Sequence, residues 1–286
     1  MPPKAPSLSK SDKYEVRPDQ SIELLKELHI LTRDGKMNQD SRRKLKQVFH
    51  LVQFIEPLIL EISTRQNNFQ MVDFGAGKSY LGFMLYDLVT KKLPHAFQII
   101  GIDIRDDLVS HSKALAQRLE FNQMNFLCLN SQEASRSEDL PHKIDMVTAL
   151  HACNTATDDA IAFALERDVE HIVLVPCCQA ELASILKQNK SGLLKNNYFS
   201  ALFKYPIHTR EFGSHLTNVL RCLFLESKGY EVTVTELVGW EHSMKNELIL
   251  AQKKSSVKKE KAKEQLKNLL EEFELQSLSD RFHIAR

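Results

Sequence analysis

Residues 71–81 read Met-Val-Asp-Phe-Gly-Ala-Gly-Lys-Ser-Tyr-Leu: an apolar run closing on Asp73, a Gly75-Ala76-Gly77 turn, then residues of helical character. This order makes a strand–turn–helix unit. Its glycines allow a tight turn and let a ligand approach free N–H groups at the helix start. Three ligand classes compete for such a turn. A triphosphate-binding loop needs Gly-x-x-x-x-Gly-Lys-Ser. Gly77-Lys78-Ser79 supplies the end, but Val72 stands where the first glycine belongs. A dinucleotide turn needs a third glycine three residues past Gly77, and that residue is Tyr80. What remains is an acidic residue on a strand followed by Gly-Ala-Gly.

A second apolar run, Gln98–Ile102, closes on Asp103, 26 residues past Gly77. A carboxylate at that strand end can accept hydrogen bonds from both hydroxyls of a ribose, and the usual spacing is about 20 residues. The helix after Ser79 and the 91–97 loop account for the excess. Ile104 then lies where an apolar side chain covers an adenine. Asp103 could instead cap the helix that contains Leu108, and the two roles are compatible.

His151, Cys153 and Asn154 follow a fourth apolar run, and Cys177-Cys178 follow a fifth. Imidazole titrates near neutral pH, so His151 is a candidate general base. Its plain alternative is to cap the helix over 157–167 or to position a cofactor. The cysteines invite comparison with enzymes in which a thiolate attacks a cytosine ring. A free thiol near pKa 8.5 needs a basic neighbour for this, and none is local. The simpler reading is that small, soft side chains line a close backbone approach. A zinc site from His151, Cys153, Cys177 and Cys178 would use adjacent cysteines, which pair poorly as ligands, and no metal is expected.

These residues need a scaffold that brings strand ends together. Candidate strands are 70–74, 98–102, 124–129, 144–150 and 171–176, alternating with helices over 79–91, 106–120, 157–167 and 180–188. The strands are too apolar for a solvated face, so a parallel sheet covered on both sides is expected. Residues 181–228 form a longer helical stretch. Strands over 231–237 and 247–252 then close an antiparallel ending. Ahead of the sheet, 21–30 and 40–62 read as helices, with Leu45, Val48, Leu51, Val52 and Ile55 at helical spacing. Residues 1–19 read as a mobile lead-in. Beyond 253, Leu266, Leu269, Leu270, Phe273 and Leu275 mark an amphipathic helix in a charged segment, more often docked on its own domain than on a partner.

Composition narrows the classes. The 286 residues carry 38 Lys plus Arg against 37 Asp plus Glu, a net charge of +1, so nucleic acid could be held only by a local patch. Two patches exist. Arg42-Arg43-Lys44 with Lys46 and His50 line one helix face, and Lys204, His208 and Arg210 interleave with Phe203 and Tyr205. Basic residues among aromatics suit an RNA backbone and its stacked bases. A solvated helix face explains the first patch nearly as well. The longest apolar run, 51–62, is interrupted by Glu56 and Glu61, and the polar first 14 residues lack a signal-peptide core. With five cysteines that form no extracellular framework, a soluble, cytoplasmic protein is expected, without membrane contact. No pattern specifies an oligomeric state.

Asp73-Phe74-Gly75-Ala76-Gly77-Lys78, Ala149–Asp158, Val175-Pro176-Cys177-Cys178-Gln179, Tyr230 and Trp240–Glu247 occur together and in order. Over roughly residues 40–252 the chain resembles a family of S-adenosylmethionine (SAM)-dependent methyltransferases. That family includes the methyltransferase half of the glutathione S-transferase C-terminal-domain-containing protein. More distantly it resembles a eukaryotic tRNA ribose 2′-O-methylase with a Cys-Cys motif in the same place. The resemblance implies a Rossmann-like class I methyltransferase fold, with a seven-stranded, mostly parallel sheet and an antiparallel last strand. The catalytic domain is then 66–252, with 181–228 as its helical substrate-side stretch, flanked by 1–65 as lead-in and helical extension and by 253–286 as a charged helix or tether. The resemblance implies SAM as cofactor, held by Asp73, Gly75, Ala76, Gly77, Lys78, Asp103 and Ile104, with Asn130 or Ser131 at the adenine edge. His151, Asn154, Cys177 and Cys178 form the candidate catalytic set. Lys46, His50, His242, Lys245 and Asn246 line the expected substrate side. Asn154 stands where the family pattern has Asp, which puts a carboxylate-dependent role there in question. The expected activity is direct methyl transfer to a substrate nucleophile, with RNA (tRNA or rRNA) as the leading substrate class. The alternatives are a non-catalytic SAM-binding module, or a methyltransferase of proteins or small molecules.

Overall fold

The computed structural model describes residues 16–17, 19–89, 93, 96–150, 155–176, 180–188, 203–237 and 247–282. Two helices lead in, α1 (Ile22–Glu27) and α2 (Gln39–Arg65). Alternation follows: β1 (Asn68–Phe74), α3 (Tyr80–Leu88), β2 (Ala96–Asp103), α4 (Asp106–Arg118), β3 (Met124–Cys128), α5 (Ser131–Arg136), β4 (Met146–Leu150), α6 (Ala156–Glu166) and β5 (His171–Val175). Then come α7 (Glu181–Gln188), α8 (Pro206–Ser227), the strands β6 (Tyr230–Glu236) and β7 (Glu247–Lys253), and α9 (Lys259–Glu272).

Among the described residues the strands form one seven-stranded sheet in the order β3-β2-β1-β4-β5-β7-β6. β1 to β5 pair in parallel, and β7 runs antiparallel between β5 and β6. This is the Rossmann-like methyltransferase arrangement expected from the sequence. The chain builds outwards from β1 through β2 to β3, then returns to the other side of β1 to lay down β4. The strand order therefore reverses between β1 and β4, and the carboxyl ends of those strands flank a crevice.

Two apolar cores cover the two faces. The periodic set of α2, from Leu45 to Ile55, is buried against α3 and the sheet. α6, α8 and α9 bury the opposite face, where Leu266, Leu270, Phe273 and Leu275 join the core. Phe273 meets Phe212 of α8 at 5.4 Å between ring centroids, so the charged segment docks through its apolar stripe. Among the described α-helices, the sequence reading did not anticipate α5. Asn130 and Glu133 form a reciprocal capping box at its start, an Asn-x-x-Glu signal that a six-residue helix leaves easy to overlook.

β2 tolerates no side chain at Gly101. A Cβ there would lie 2.6 Å from the Phe126 ring and 3.3 Å from Ala76 of the glycine turn. Phe126 is buried and stacked on Phe83 at 5.5 Å, so it cannot yield cheaply. Gly101→Ala should destabilise the fold by about 1–3 kcal/mol, the usual cost of overpacking. Urea titration of both proteins measures this, and an unchanged midpoint would contradict it.

Candidate functional site

The crevice at the β1/β4 reversal is built around one buried carboxylate. Asp73 lies near the end of β1, opposite Thr148 of β4 in the ladder, and is 2% exposed. The Thr148 hydroxyl donates to its Oδ1 at 2.8 Å, and the Ser79 hydroxyl lies 3.3 Å from its Oδ2. Burial drives the Asp73 pKa up from 3.8 to about 6, against the lowering by those two hydroxyls, and nearby Asp103 adds to the rise.

The turn after β1 is shaped for close approach. Gly75 and Gly77 hold φ of 66° and 59°, the left-handed region that glycine occupies without a Cβ penalty. Ser79 also has positive φ, at 48°, and its side chain folds inward. A Cβ on Gly82 would come within 2.5 Å of the Ser79 Oγ, so a glycine there leaves room for this hydroxyl. With Ser79 buried and turned towards Asp73, its hydroxyl is not presented to a metal–phosphate ligand. This agrees with the missing first glycine of a triphosphate loop. Lys78 points to solvent.

Asp103 ends β2 beside this turn. Its Oδ2 accepts from the Gly77 N–H at 2.7 Å, and its Oδ1 from the Arg105 N–H at 3.0 Å and the Arg105 Nε at 3.2 Å. Burial pushes the Asp103 pKa up. The Arg105 guanidinium and the two backbone donors outweigh that and hold it below the ordinary carboxylate range. Asp103 is therefore an anion at neutral pH, and a carboxylate can accept about four hydrogen bonds. Three donors leave room for a ribose hydroxyl. Ile104, next in the chain, is 71% exposed, an apolar surface open to a ligand ring. These groups fit an adenosyl ligand that carries a cationic end: an anionic acceptor for a ribose, an apolar cover, and a second acid beside the glycine turn.

Residues 43–185 match the family described as methyltransferase domain, half of the chain. The chain belongs to that family. Together with the sheet order and the glycine turn, membership makes it a SAM-dependent methyltransferase with SAM as its cofactor. The methyltransferase is also similar to a glutathione S-transferase C-terminal domain-containing protein homologue of Drosophila pseudoobscura. They are 26% identical over 212 residues, 66% of this chain and 34% of that one, so the chain spans about a third of that relative's length. Among solved structures it resembles a Synechocystis magnesium protoporphyrin IX methyltransferase crystallised with S-adenosylhomocysteine (TM-score 0.45, 14% identity, 81% of this chain and 93% of that one). It also resembles the precorrin-6y C5,15-methyltransferase of Geobacter metallireducens (TM-score 0.40, 18% identity, 66% of this chain and 82% of that one).

The structure of the methyltransferase brings Asp73, Gly75, Ala76, Gly77, Asp103 and Ile104 to one edge. Asn130 and Ser131 follow β3 at the same edge, where the Asn130 side chain already accepts from the Glu133 N–H. Lys46 and His50 are half-buried on α2. His151, Asn154, Cys177, Cys178, His242, Lys245 and Asn246 lie outside the described residues. Sequence reasoning missed Thr148, Ser79 and Arg105. Thr148 had a signal, as the single polar residue among Met146–Leu150. Arg105 had none beyond following Asp103 by two.

Asp103→Ala should cut SAM affinity at least about tenfold, since a hydrogen bond to a charged group is worth about 1.5–3 kcal/mol. Calorimetry on a folded mutant decides this, and equal affinity would remove the ribose assignment. Asp73 predicts a pH dependence. The fold favours its protonated form, so its contribution to stability is full below pH 3.8 and is lost as pH rises through about 6. A cationic ligand favours the ionised form, so SAM affinity should rise with pH. If binding restores an ordinary pKa, the gain is about tenfold between roughly pH 5 and pH 7.5. Asp73→Asn should flatten the profile, and a wild-type affinity independent of pH would exclude the linkage.

Proposed function

We propose that this methyltransferase passes the SAM methyl group directly to a nucleophile of an RNA substrate, a tRNA or an rRNA. The basic face of α2 carries the RNA reading. α2 turns back into β1 after two residues, so it runs antiparallel to that strand. At about 1.5 Å per helical residue and 3.3 Å per strand residue, His50 is roughly level with the carboxyl end of β1. Arg42, Arg43 and Lys46 then extend past the edge that holds Asp73 and Asp103. Arg42 and Arg43 are exposed. At the start of α8, Tyr205 is half exposed, with the Lys204 ammonium 5.2 Å and the His208 ring 5.4 Å from its ring. Such a group can stack on a base and hold a phosphate.

Bound SAM supplies an already activated methyl group on a sulfonium. The sulfonium would keep the electron pair of its carbon–sulfur bond as the substrate nucleophile took the methyl carbon. The protein then contributes alignment and proton removal. In this reading Asp73 and the Gly75–Lys78 turn hold the amino-acid end and Asp103 holds the ribose. Ile104 and Asn130 or Ser131 frame the adenine. His151 takes the proton, Asn154, Cys177 and Cys178 line the reacting centre without a thiolate step, and His242, Lys245, Asn246, Lys46 and His50 face the substrate. The catalytic unit spans 66–252, with 1–65 and 253–286 as extensions.

The test incubates the protein with radiolabelled SAM and separate cell fractions of RNA, protein and metabolites; label entering RNA alone is expected. Reversing Arg42, Arg43 and Lys46 to Glu should abolish RNA binding and flatten its salt dependence, leaving SAM affinity within about twofold. RNA affinity that survives the reversal in a filter-binding assay would redirect the search to protein or metabolite substrates.

A further inference from the structure

One face of α8 carries His215, Asn218 and Arg221 at spacings of three, and these residues belong to a continuous polar chain. His215 Nδ1 lies 2.7 Å from Glu247 Oε1, and Asn218 Nδ2 donates to Glu247 Oε2 at 2.6 Å. Asn218 Oδ1 in turn accepts from Arg221 Nη1 at 3.3 Å. The Arg221 guanidinium grips Asp158 with two bonds, Nε to Oδ1 at 2.6 Å and Nη2 to Oδ2 at 3.0 Å. Arg281, from the segment after α9, grips Glu181 through bonds of 2.7 and 2.8 Å and stands 3.6 Å from Asp158 Oδ2.

The positions of the three acids give the chain its meaning. Asp158, Glu181 and Glu247 are the first charged residues described after the β4–α6, β5–α7 and β6–β7 connections. Each stands at the carboxyl edge of the parallel strands, because β7 runs antiparallel and begins there. The centre of this chain is buried, whereas its ends reach the surface, with the His215 side chain 60% and the Glu181 side chain 42% exposed. The Arg221 side chain is 1% exposed and Asp158 9%. Bidentate arginine pairs of this kind fix geometry as well as charge. α8 is also pressed against α7, since a Cβ on Gly213 would come within 2.8 Å of the Ala183 backbone. The C-terminal segment is held in the same core, where Phe282 meets Phe224 at 5.6 Å.

We propose that Arg221 and Arg281 are positioning residues for methyl transfer: with Asn218 they brace the described ends of three connections on the acceptor side as one unit. The C-terminal segment, remote in sequence from the glycine turn, thereby becomes part of the catalytic machinery. The inference rests on the methyl-transfer reading of this edge and not on the identity of the acceptor.

Trp240 is the chain's single tryptophan and stands in sequence between β6 and β7, seven residues before Glu247. Its fluorescence in the SAM-bound protein is the probe of that connection. Arg281 is the residue to change, because it is 24% exposed and its loss leaves the buried Arg221–Asp158 pair intact. Arg281→Ala should shift Trp240 emission and lower turnover on total cellular RNA by about tenfold or more, as small misplacements do. SAM affinity by calorimetry should stay within about twofold, because Asp73 and Asp103 lie beyond the brace. Arg281→Lys, which keeps the charge but loses the fork, should fall between the two proteins. If Arg281→Ala fails to give a native far-ultraviolet spectrum, Glu181→Gln makes the same break from the other side. Unchanged Trp240 emission in a folded variant would overturn the proposal, as would equal loss of SAM affinity and turnover. If the wild-type protein labels no RNA, the substrate reading fails by itself, and the emission and SAM measurements still decide the brace.

Discussion

The molecule is organised around a carboxylate placed where water barely reaches. Asp73 joins β1 to β4 through Thr148 and approaches the helix start at Ser79, so one side chain ties both sides of the strand-order reversal to the glycine turn. The arrangement has a cost, visible in the raised pKa. A buried acid with two hydroxyl partners is poorly compensated for its charge. A cationic ligand in the crevice would provide the missing compensation, which gives the buried acid a reason beyond packing. Asp103, at the end of the neighbouring strand β2, has the opposite character. Its pKa is held low by Arg105 and backbone donors, and it serves as a fixed acceptor.

The same sheet separates two tasks. At the ends of β1 and β2, proposed to hold the cofactor, backbone geometry dominates through left-handed glycines and short N–H bonds to carboxylate. Beyond β4 and β5 and at the start of β7, on the side proposed to meet the methyl acceptor, long side chains dominate and α8 gathers them. A buried Arg221–Asp158 pair is weak evidence for stability, since desolvating two charges offsets much of their attraction. Breaking it would nonetheless strand a charge, at about 3–5 kcal/mol. Such a pair suits a part that must hold one geometry, because intermediate arrangements are costly.

The strand–helix alternation was legible because two periods coexist in the chain: short apolar runs for strands buried on both faces, and a 3.6-residue stripe for α2. Asp103 was legible for a related reason. A charged residue ending an apolar run is expensive to bury and marks a strand end at the working edge. α5 was hard to read because six residues carry too little periodicity, and only its capping pair betrays it. The apolar stripe of α9 announced an amphipathic helix, but which surface it would bury was decided by Phe212 and its neighbours on α8.

The sequence by itself determined the strand–turn–helix opening, the acids that end β1 and β2, and the antiparallel close. All are local patterns whose physics needs only near neighbours. The partners of those acids were left to the tertiary structure. Thr148 reaches Asp73 from 75 residues away, Asp158 meets Arg221 from 63, and Glu181 meets Arg281 from 100. A hydroxyl or guanidinium carries no mark of its partner in the linear chain. The pairing exists only once the sheet has fixed which strand ends and helix faces lie side by side.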